Sequence, residues 1–260
     1  MENREHTMMD VAPTASAVLQ LPAPAHAKGS PVPEIVADLA GARGVAVLAL
    51  DAFGVYAWNL WRAEMPYLES LHARRSVTLR SVMPSITPVN FATMVTGTDL
   101  PQHQIHSFRH SFACETLFDV VRKANGKSAG VGLNGYTGSE LLGRAADIWG
   151  NAGDGSDDAV ADKTMQIADD ERPAFLIAQF GRVDDVFHQH GPSSPEVVPM
   201  LRESDGRMRR VVEHLKPLGY GILILADHGQ HDAANPSTGG MRGVHGTDMP
   251  EDCLVPCTWI

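Results

Sequence analysis

The sequence predicts an α/β fold, with a doubly wound, mostly parallel sheet and helices on both faces. Two observations lead to this fold class. Four short runs are apolar at nearly every position, which is typical of strands that are buried on both faces of a parallel sheet. Segments with a helical spacing of apolar residues separate these runs, as crossover helices do. A chain of 260 residues is long enough for one such domain.

The elements of this fold can be placed in chain order. Residues 1–33 are rich in alanine, proline and polar side chains without a sustained period, so we expect a mobile N-terminal arm, which can include a short helix, followed by a single domain over 34–260. The predicted strands are 44–50, 129–133, 174–180, 221–226 and a last one at 254–259. The predicted helices are 90–95, 116–124, 159–168 and 196–215, and a loop is predicted at 150–158.

Composition restricts the partners that the chain can have. The formal net charge is −10, which argues against binding to nucleic acid duplexes, whereas a small anionic ligand stays compatible because bound cations reverse the local field. The cysteines, Cys114, Cys253 and Cys257, are too few for a disulfide framework and are expected to be buried thiols. No apolar run reaches the roughly 18 residues of a membrane span, and we find no secretory signal pattern. We therefore expect a cytoplasmic protein without a membrane partner.

Acidic and histidine side chains follow the predicted strands where each strand ends. In doubly wound sheets ligands bind at the carboxyl ends of the strands. Carboxylate oxygens and imidazole nitrogens are the ligands that a pair of divalent cations requires. The residues are Asp51 after the first strand, Asp184, Asp185, His188 and His190 after the third, Asp227 and His228 after the fourth, and His245 in a later loop.

Two of these pairs also have an ordinary structural reading. Asp184 and His188 are four residues apart, so on a helical turn they share a face and can share a metal ion; the alternative is a surface pair. Asp227 and His228 end an apolar strand, and the alternative is a plain strand-to-turn junction. The convergence of several chain segments favours the metal site in both cases.

Thr87 precedes Pro88 and a helical pattern, which predicts a helix N-cap with proline at the first helical position. A hydroxyl at that position lies at the positive end of a helix, where an anion binds well. A metal ion nearby would lower the pKa of the hydroxyl and make it a nucleophile. Asn90 comes one turn later, and we expect its amide to bind a phosphoryl oxygen.

Five segments, in this order, resemble the type I phosphodiesterase/nucleotide pyrophosphatase family of the alkaline phosphatase superfamily. They are residues 50–54, 84–90 with 96–97, 184–188 with 191–192, 227–229 and 244–246. The resemblance implies an alkaline phosphatase-like fold and a phosphoric ester hydrolase that acts on a small-molecule phosphate ester or nucleotide. It also implies that Thr87 forms a phospho-threonine intermediate and that Asn90 binds a non-bridging oxygen.

The resemblance further implies two divalent metal ions. Zinc is the expected metal, and manganese or iron can use the same ligands. The implied ligands are Asp51, Thr87, Asp227 and His228 for one ion and Asp184, His188 and His245 for the other.

Two departures from the family pattern concern the pocket. Ile86 stands where many members have lysine, and Gln104 follows His103 where the family often has glycine. The absence of an obvious arginine beside the motifs favours diesters or nucleotide pyrophosphates over monoesters.

Several other functions are compatible with part of the sequence. A phosphomonoesterase, a phosphonate hydrolase and a metal-binding interaction protein without catalysis remain the alternatives. Residues 126–130 match the G-x-S-x-G pattern of serine hydrolases and residues 130–135 match G-x-G-x-x-G of dinucleotide-binding proteins. Both patterns lie at the wrong place relative to the predicted strands, which argues against those two functions.

Overall fold

The computed structural model describes residues 5–235 and 240–260. The strands are β1 (His6–Thr7), β2 (Gly44–Leu50), β3 (Ser76–Arg80), β4 (Ser128–Gly132), β5 (Ile148–Asn151), β6 (Phe175–Phe180), β7 (Tyr220–Leu225), β8 (His231–Asp232), β9 (Gly243–Val244) and β10 (Leu254–Trp259). The α-helices are α1 (Val11–Val18), α2 (Pro33–Asp38), α3 (Val55–Trp61), α4 (Pro66–His72), α5 (Thr87–Thr96), α6 (Leu100–His103), α7 (Leu117–Lys123), α8 (Asp157–Asp170), α9 (Arg182–His190), α10 (Val198–Leu215) and α11 (Pro250–Cys253).

One eight-stranded sheet forms the centre of the molecule, in the order β1-β3-β10-β7-β2-β6-β4-β5. Strand β10 runs antiparallel to both of its neighbours, and the other pairs are parallel. Every residue of β2, β6 and β7 is buried, which explains why their sequences are continuous apolar runs. The predicted fold class, a mostly parallel α/β sheet, is confirmed.

The direction of β10 decides which loops meet at one edge of the sheet. Strands β7, β2 and β6 are parallel neighbours, so their carboxyl ends lie side by side. Because β10 runs the opposite way, its first residue, Leu254, pairs with Arg80 at the end of β3. The segment that precedes β10 therefore reaches the same edge as the residues that follow β2, β6 and β7.

Most predicted elements correspond to elements of the structure, with shifts at their ends. All five predicted strands are present, and the helix predicted at 90–95 extends over α5. Thr87 is the first residue of α5, and Ile86, with an extended backbone, is its N-cap, one residue earlier than predicted. The predicted loop 150–158 overlaps both β5 and α8. Helix α8 begins early because the Ser156 side chain accepts a hydrogen bond from the Asp158 backbone N–H.

The segment before residue 34 packs on the domain, which differs from the predicted mobile arm. Strand β1 pairs with β3, and α1 is buried along most of its length, with contacts to α5. The Asp10 carboxylate accepts hydrogen bonds from the backbone N–H groups of Thr7 and Ser30, which ties together the segments before and after α1. A short helix in this segment was allowed but not placed, because its alanines pack closely without the bulky apolar side chains that give a helical period. Residues 1–4 of the predicted arm lie outside the described residues, and the domain boundary at residue 33 stays a prediction.

None of the helices in the described part of the chain has both the length and the apolar character needed to cross a bilayer.

Candidate active site

Two groups of metal-binding side chains lie at the carboxyl edge of the sheet. Within each group, the candidate ligand atoms lie within 4.8 Å of one another. The first group is Asp51, Asp227 and His228, and the second is Asp184, His188 and His245. The structure therefore brings together the same two sets that the family resemblance implied.

The first group is fully buried, and the half-buried Thr87 hydroxyl lies at its edge. Asp51 directly follows β2, and Asp227 and His228 follow β7. His228 Nε2 lies 3.6 Å from Asp51 Oδ1 and 3.3 Å from Asp227 Oδ2. The Thr87 Oγ1 atom lies 3.1 Å from His228 Nε2 and 3.4 Å from Asp51 Oδ1. The start of α5 thus places a hydroxyl next to a buried carboxylate and an imidazole.

The second group is held by α9 and by the segment before β10. Asp184 and His188 share one face of α9, with His188 Nε2 3.3 Å from Asp184 Oδ2, so the predicted one-turn pairing is confirmed. His245 Nε2 lies 3.6 Å from the other oxygen, Asp184 Oδ1. The rings of His228 and His245 stack with their centroids 4.1 Å apart, so the two groups are direct neighbours.

Each of the three histidines has its Nδ1 atom against a backbone carbonyl. A carbonyl oxygen only accepts, so for His228 and His245 Nδ1 carries the hydrogen and Nε2 of the neutral ring keeps its lone pair. Nδ1 of His188 also lies 2.8 Å from Gln230 Nε2, and the hydrogen bond of its other nitrogen with Asp184 raises the pKa of His188. The Nε2 atoms of all three rings face carboxylate oxygens, an arrangement typical of histidines that bind a metal and are oriented through their other nitrogen. The carbonyls are Gly243 O for His188 (2.8 Å), Gly229 O for His228 (2.9 Å) and Ser85 O for His245 (3.1 Å).

The electrostatics of the site favour a bound cation. Burial, together with the charges of Asp227 and Asp184, raises the pKa of Asp51 well above its usual range, and burial also raises the pKa of Asp227. Burial lowers the pKa of His245 to about 4, so this ring is neutral near pH 7. Burial opposes ionisation of Asp184 as well, but the neighbouring imidazoles, led by His188, lower its pKa overall.

Two buried carboxylate oxygens of the site, Asp184 Oδ1 and Asp227 Oδ2, have no hydrogen-bond donor within the described part of the chain. A buried ionised oxygen without a partner is costly, and a divalent cation removes that cost. Three carboxylates and three imidazole nitrogens in two groups are a donor set that zinc accepts. The residues present therefore fit two divalent cations.

Gln179 is a supporting residue that we did not predict. Its Nε2 donates a short hydrogen bond to Asp51 Oδ2, and its Oε1 accepts from the Gly138 backbone N–H. The second bond fixes the amide, so Asp51 Oδ1 stays available on the side of Thr87. The signal in the sequence is a lone glutamine in the otherwise apolar strand β6.

The turn after β2 holds Asp51 and Asp227 together. Ala52 has a φ of 61°, in the left-handed region that costs a residue with a Cβ about 1 kcal/mol or more. In this conformation its backbone N–H donates to Asp227 Oδ1 at 3.2 Å. Gly54, at the end of the same turn, meets Gly229, and an added Cβ on Gly54 would lie 2.5 Å from the Cα of Gly229. Glycine is required here because two backbones touch.

Asn90 does not face the site, contrary to our expectation. Its side chain is fully buried under the loop that precedes α5. The amide oxygen accepts from the Val82 N–H at 2.8 Å, and the amide nitrogen donates to the carbonyls of Val82 and Ile86 at 3.2 and 3.3 Å. With both ends of the amide bound to backbone, Asn90 orients the loop and is not placed to bind a phosphoryl oxygen. The spacing predicted that Asn90 lies one helical turn after Thr87, but spacing alone does not determine the direction in which the Asn90 side chain points.

The remaining candidate histidines and carboxylates are used elsewhere. His103 is buried beside α5, where its Nε2 lies 3.3 Å from Thr93 Oγ1 and burial lowers its pKa to about 4. Asp185 binds Tyr136 and Arg182, and His190 lies 2.5 Å from Glu196.

Comparison with known proteins agrees with this architecture. The model of the type I phosphodiesterase/nucleotide pyrophosphatase family matches residues 45–152 and 132–245. The chain therefore belongs to this family, which is part of the alkaline phosphatase superfamily.

Curated relatives carry the same family name. An uncharacterized pyrophosphatase/phosphodiesterase of Schizosaccharomyces pombe is 28% identical over 220 residues, which are 71% of this chain and 44% of the relative. Human ectonucleotide pyrophosphatase/phosphodiesterase family member 1 is 30% identical over 74 residues, 27% of this chain and 8% of that protein. The chain thus spans less than half the length of these relatives.

Solved structures share the fold. Murine ectonucleotide pyrophosphatase/phosphodiesterase 5 aligns with a TM-score of 0.65 at 13% identity, over 82% of this chain and 87% of that chain. An inactive variant of the same mouse protein, with a threonine replaced by alanine and AMP bound, aligns with a TM-score of 0.66 at 12% identity, over 83% and 87% of the two chains. Phosphonoacetate hydrolase from Sinorhizobium meliloti 1021, in complex with phosphonoacetate, aligns with a TM-score of 0.58 at 17% identity, over 76% and 59%.

Proposed function

We propose that this chain is a metal-dependent phosphoric ester hydrolase of the phosphodiesterase type, with Thr87 as its nucleophile. The observation that carries the proposal is the position of Thr87 Oγ1, 3.1 Å from His228 Nε2 and 3.4 Å from Asp51 Oδ1, next to two groups of metal-binding side chains. A threonine as the first residue of a helix needs no catalytic role, but a purely structural threonine would not require six metal-binding side chains around it.

The two groups would each hold one divalent cation. Asp51, Asp227 and His228, together with Thr87, would hold the first, and the second group would hold the other. Bound cations would lower the pKa of the Thr87 hydroxyl and offset the negative charge of the phosphate. Zinc is the metal that we propose, since imidazole nitrogens and carboxylate oxygens are its ordinary ligands.

The side chains then perform a two-step displacement. Thr87 Oγ1 attacks phosphorus and gives up its proton to solvent, an O–P bond forms, and the bond to the leaving alcohol breaks as that alcohol takes up a proton from solvent. Water next attacks the phosphorus of phospho-Thr87, which releases the phosphate product and restores the hydroxyl. Between the two steps, the hydrogen bonds of Gln179 and Ala52 keep Asp51 and Asp227 in place, and position is most of what the protein supplies.

The surroundings of Thr87 favour a diester. The residue before Thr87 is the apolar Ile86, and the hydroxyl's neighbours are a carboxylate and an imidazole. A dianionic monoester would gain from a cationic side chain at this position, whereas a diester has one negative charge less. We therefore propose a small phosphodiester or nucleotide as substrate. Support comes from the mouse protein of the same fold, whose inactive variant lacks a threonine and binds AMP.

Parallel assays of three substrates test this function. They are p-nitrophenyl phosphate, bis-p-nitrophenyl phosphate and the p-nitrophenyl ester of thymidine monophosphate, each with zinc-loaded wild type, Thr87→Ala and Thr87→Ser. We expect diester cleavage to dominate, to disappear in Thr87→Ala and to persist at a reduced rate in Thr87→Ser. Dominant monoester cleavage would move the protein to the phosphatases. Cleavage of none of them with zinc or manganese would point to a phosphonate substrate or to a binding protein, and wild-type rates in Thr87→Ala would refute the role of Thr87.

A further inference from the structure

Asp252 lies in the short helix α11, just before β10, and its side chain is fully buried. It is not part of either metal-binding group, and its two oxygens face different loops. A buried carboxylate is costly unless it is well bonded, so its partners indicate what it does.

One carboxylate oxygen binds the loop that carries the first group. His231 Nδ1 lies 2.7 Å from Asp252 Oδ1, and His231 is three residues after His228. The backbone of Asp252 binds the same loop, because its carbonyl accepts the Gly229 N–H at 2.7 Å. Both contacts fall directly after the Asp227–His228 pair.

The other oxygen binds the loop that carries His245. Asp252 Oδ2 accepts two hydrogen bonds from Thr247, one from its N–H at 3.0 Å and one from its Oγ1 at 2.7 Å. Thr247 is two residues after His245. Its carbonyl also accepts a hydrogen bond of 2.6 Å from Ser85 Oγ, in the loop that leads to Thr87.

We propose that Asp252 is a positioning residue that fixes the spacing between the two metal-binding groups, and through Thr247 the position of the nucleophile loop. This inference rests on the proposed function, since spacing matters only if both groups hold cations. The stacked rings of His228 and His245 mark the place where the groups meet, and each of these histidines is followed within three residues by a partner of Asp252. Residues that hydrogen-bond metal ligands directly typically change metal affinity about 10- to 100-fold when they are removed, and Asp252, which binds the neighbours of the ligands, should act at the lower end of that range.

The chain offers a matched control in Asp205. Its buried carboxylate also accepts two hydrogen bonds, from the backbone N–H groups of Tyr67 at 3.0 Å and Leu68 at 2.8 Å, but it serves the start of α4. Asp205→Ala therefore removes a comparable structural contact without touching the loops of the site. Thr247→Val is a milder variant that removes one hydroxyl and keeps the side-chain shape.

The experiment measures the zinc affinity of the metal-free protein by competition with a fluorescent chelator. Melting temperatures of the same proteins are recorded as well. We expect Asp252→Ala to bind zinc about 10-fold more weakly than wild type. Thr247→Val alone should weaken zinc binding a few-fold. Added to Asp252→Ala, it should weaken zinc binding no further, because both substitutions remove the contact between Asp252 and the Thr247 hydroxyl. Asp205→Ala should have a lower melting temperature than wild type, while its zinc affinity stays within about two-fold of wild type.

The outcomes separate this inference from the proposed function. If wild type binds two zinc ions and Asp252→Ala binds them equally well, or weakens no more than Asp205→Ala, Asp252 is not a positioning residue and the proposed function stands. If wild type binds neither zinc nor manganese, the proposed function fails and the role of Asp252 fails with it.

Discussion

Asp51→Asn should stabilise the metal-free protein while it removes metal binding. Burial and the charges of Asp227 and Asp184 raise the pKa of Asp51, which means that its ionised form destabilises the metal-free fold. An asparagine keeps the shape, its oxygen can still accept from Gln179, and its amide hydrogens face the Asp227 carboxylate instead of a second negative charge. Replacing a strained site residue commonly adds about 0.5–2 kcal/mol of stability. For a chain of this size that is roughly 1–8 °C of melting temperature.

Excess metal should reverse the order of the melting temperatures, so that wild type melts above Asp51→Asn. At about 100 times its dissociation constant, a ligand that binds only the folded state stabilises it by about 2.7 kcal/mol, or roughly 5–11 °C here. Wild type should gain this increment, and Asp51→Asn should lose most of it. Differential scanning calorimetry at pH 7, with a chelator and then with zinc, measures both, and the exposed Asp170→Asn provides a control that should match wild type.

The pH dependence of stability gives a second test of the unfavourable charge on Asp51. A raised carboxyl pKa contributes stability that is fully present below the unfolded pKa near 3.8 and is lost as the pH rises through the folded value. Without metal, the advantage of Asp51→Asn over wild type should therefore shrink on acidification. A variant that melts below wild type in chelator at pH 7, or that gains as much from zinc as wild type does, would refute the account of the carboxylate cluster.

Four further substitutions test the supporting structure. Gly229→Ala places a Cβ 2.0 Å from the Glu251 carbonyl oxygen, so it should lower stability by ~1–3 kcal/mol and reduce activity through the adjacent His228. Its control, Gly206→Ala in α10, meets no atom within 4 Å and should stabilise the protein by up to ~1 kcal/mol. Equal melting temperatures of the two variants would contradict this. Gln104→Gly relieves a φ of 59° and should add ~0.5–1 kcal/mol in urea unfolding, and a loss would show that the side chain matters more than the backbone. Burial raises the pKa of Asp157 to about 6 from 3.8, so the stability it contributes is lost as the pH rises through about 6. Asp157→Asn should flatten the stability curve between about pH 4 and 6 by up to ~3 kcal/mol, and an unchanged curve would count against the shift.

The parts of the site that the sequence predicts are those governed by local rules. Asp51 and Asp227 were found because each ends a buried parallel strand, and neighbouring strands end at one edge. Asp184 and His188 were found because four residues make one helical turn. His245 was noticed as a histidine in a later loop, and its assignment as a ligand came from the family resemblance. The structure adds the physical reason, which is that β10 runs antiparallel and returns its preceding loop to the same edge.

The parts that the sequence did not predict depend on contacts between distant segments. Gln179 and Asp252 act on residues 128 and 21 positions away, and no local spacing marks such pairs. Asn90 was assigned to the wrong partner because the period of a helix does not say which face meets the substrate and which meets the preceding loop. The position of helix α1 was not predicted because small side chains give little periodic signal even where they are buried.

Trapping the covalent intermediate is the direct test of Thr87 as the nucleophile. Zinc-loaded wild type would be mixed with bis-p-nitrophenyl phosphate, quenched in acid within milliseconds and digested, and the peptide that contains Thr87 would be analysed by mass spectrometry. We expect a p-nitrophenyl phosphoryl adduct on Thr87 that rises and decays during turnover and is absent from Thr87→Ala. Turnover without any adduct on Thr87, or an adduct on another residue that forms at the rate of turnover, would contradict it.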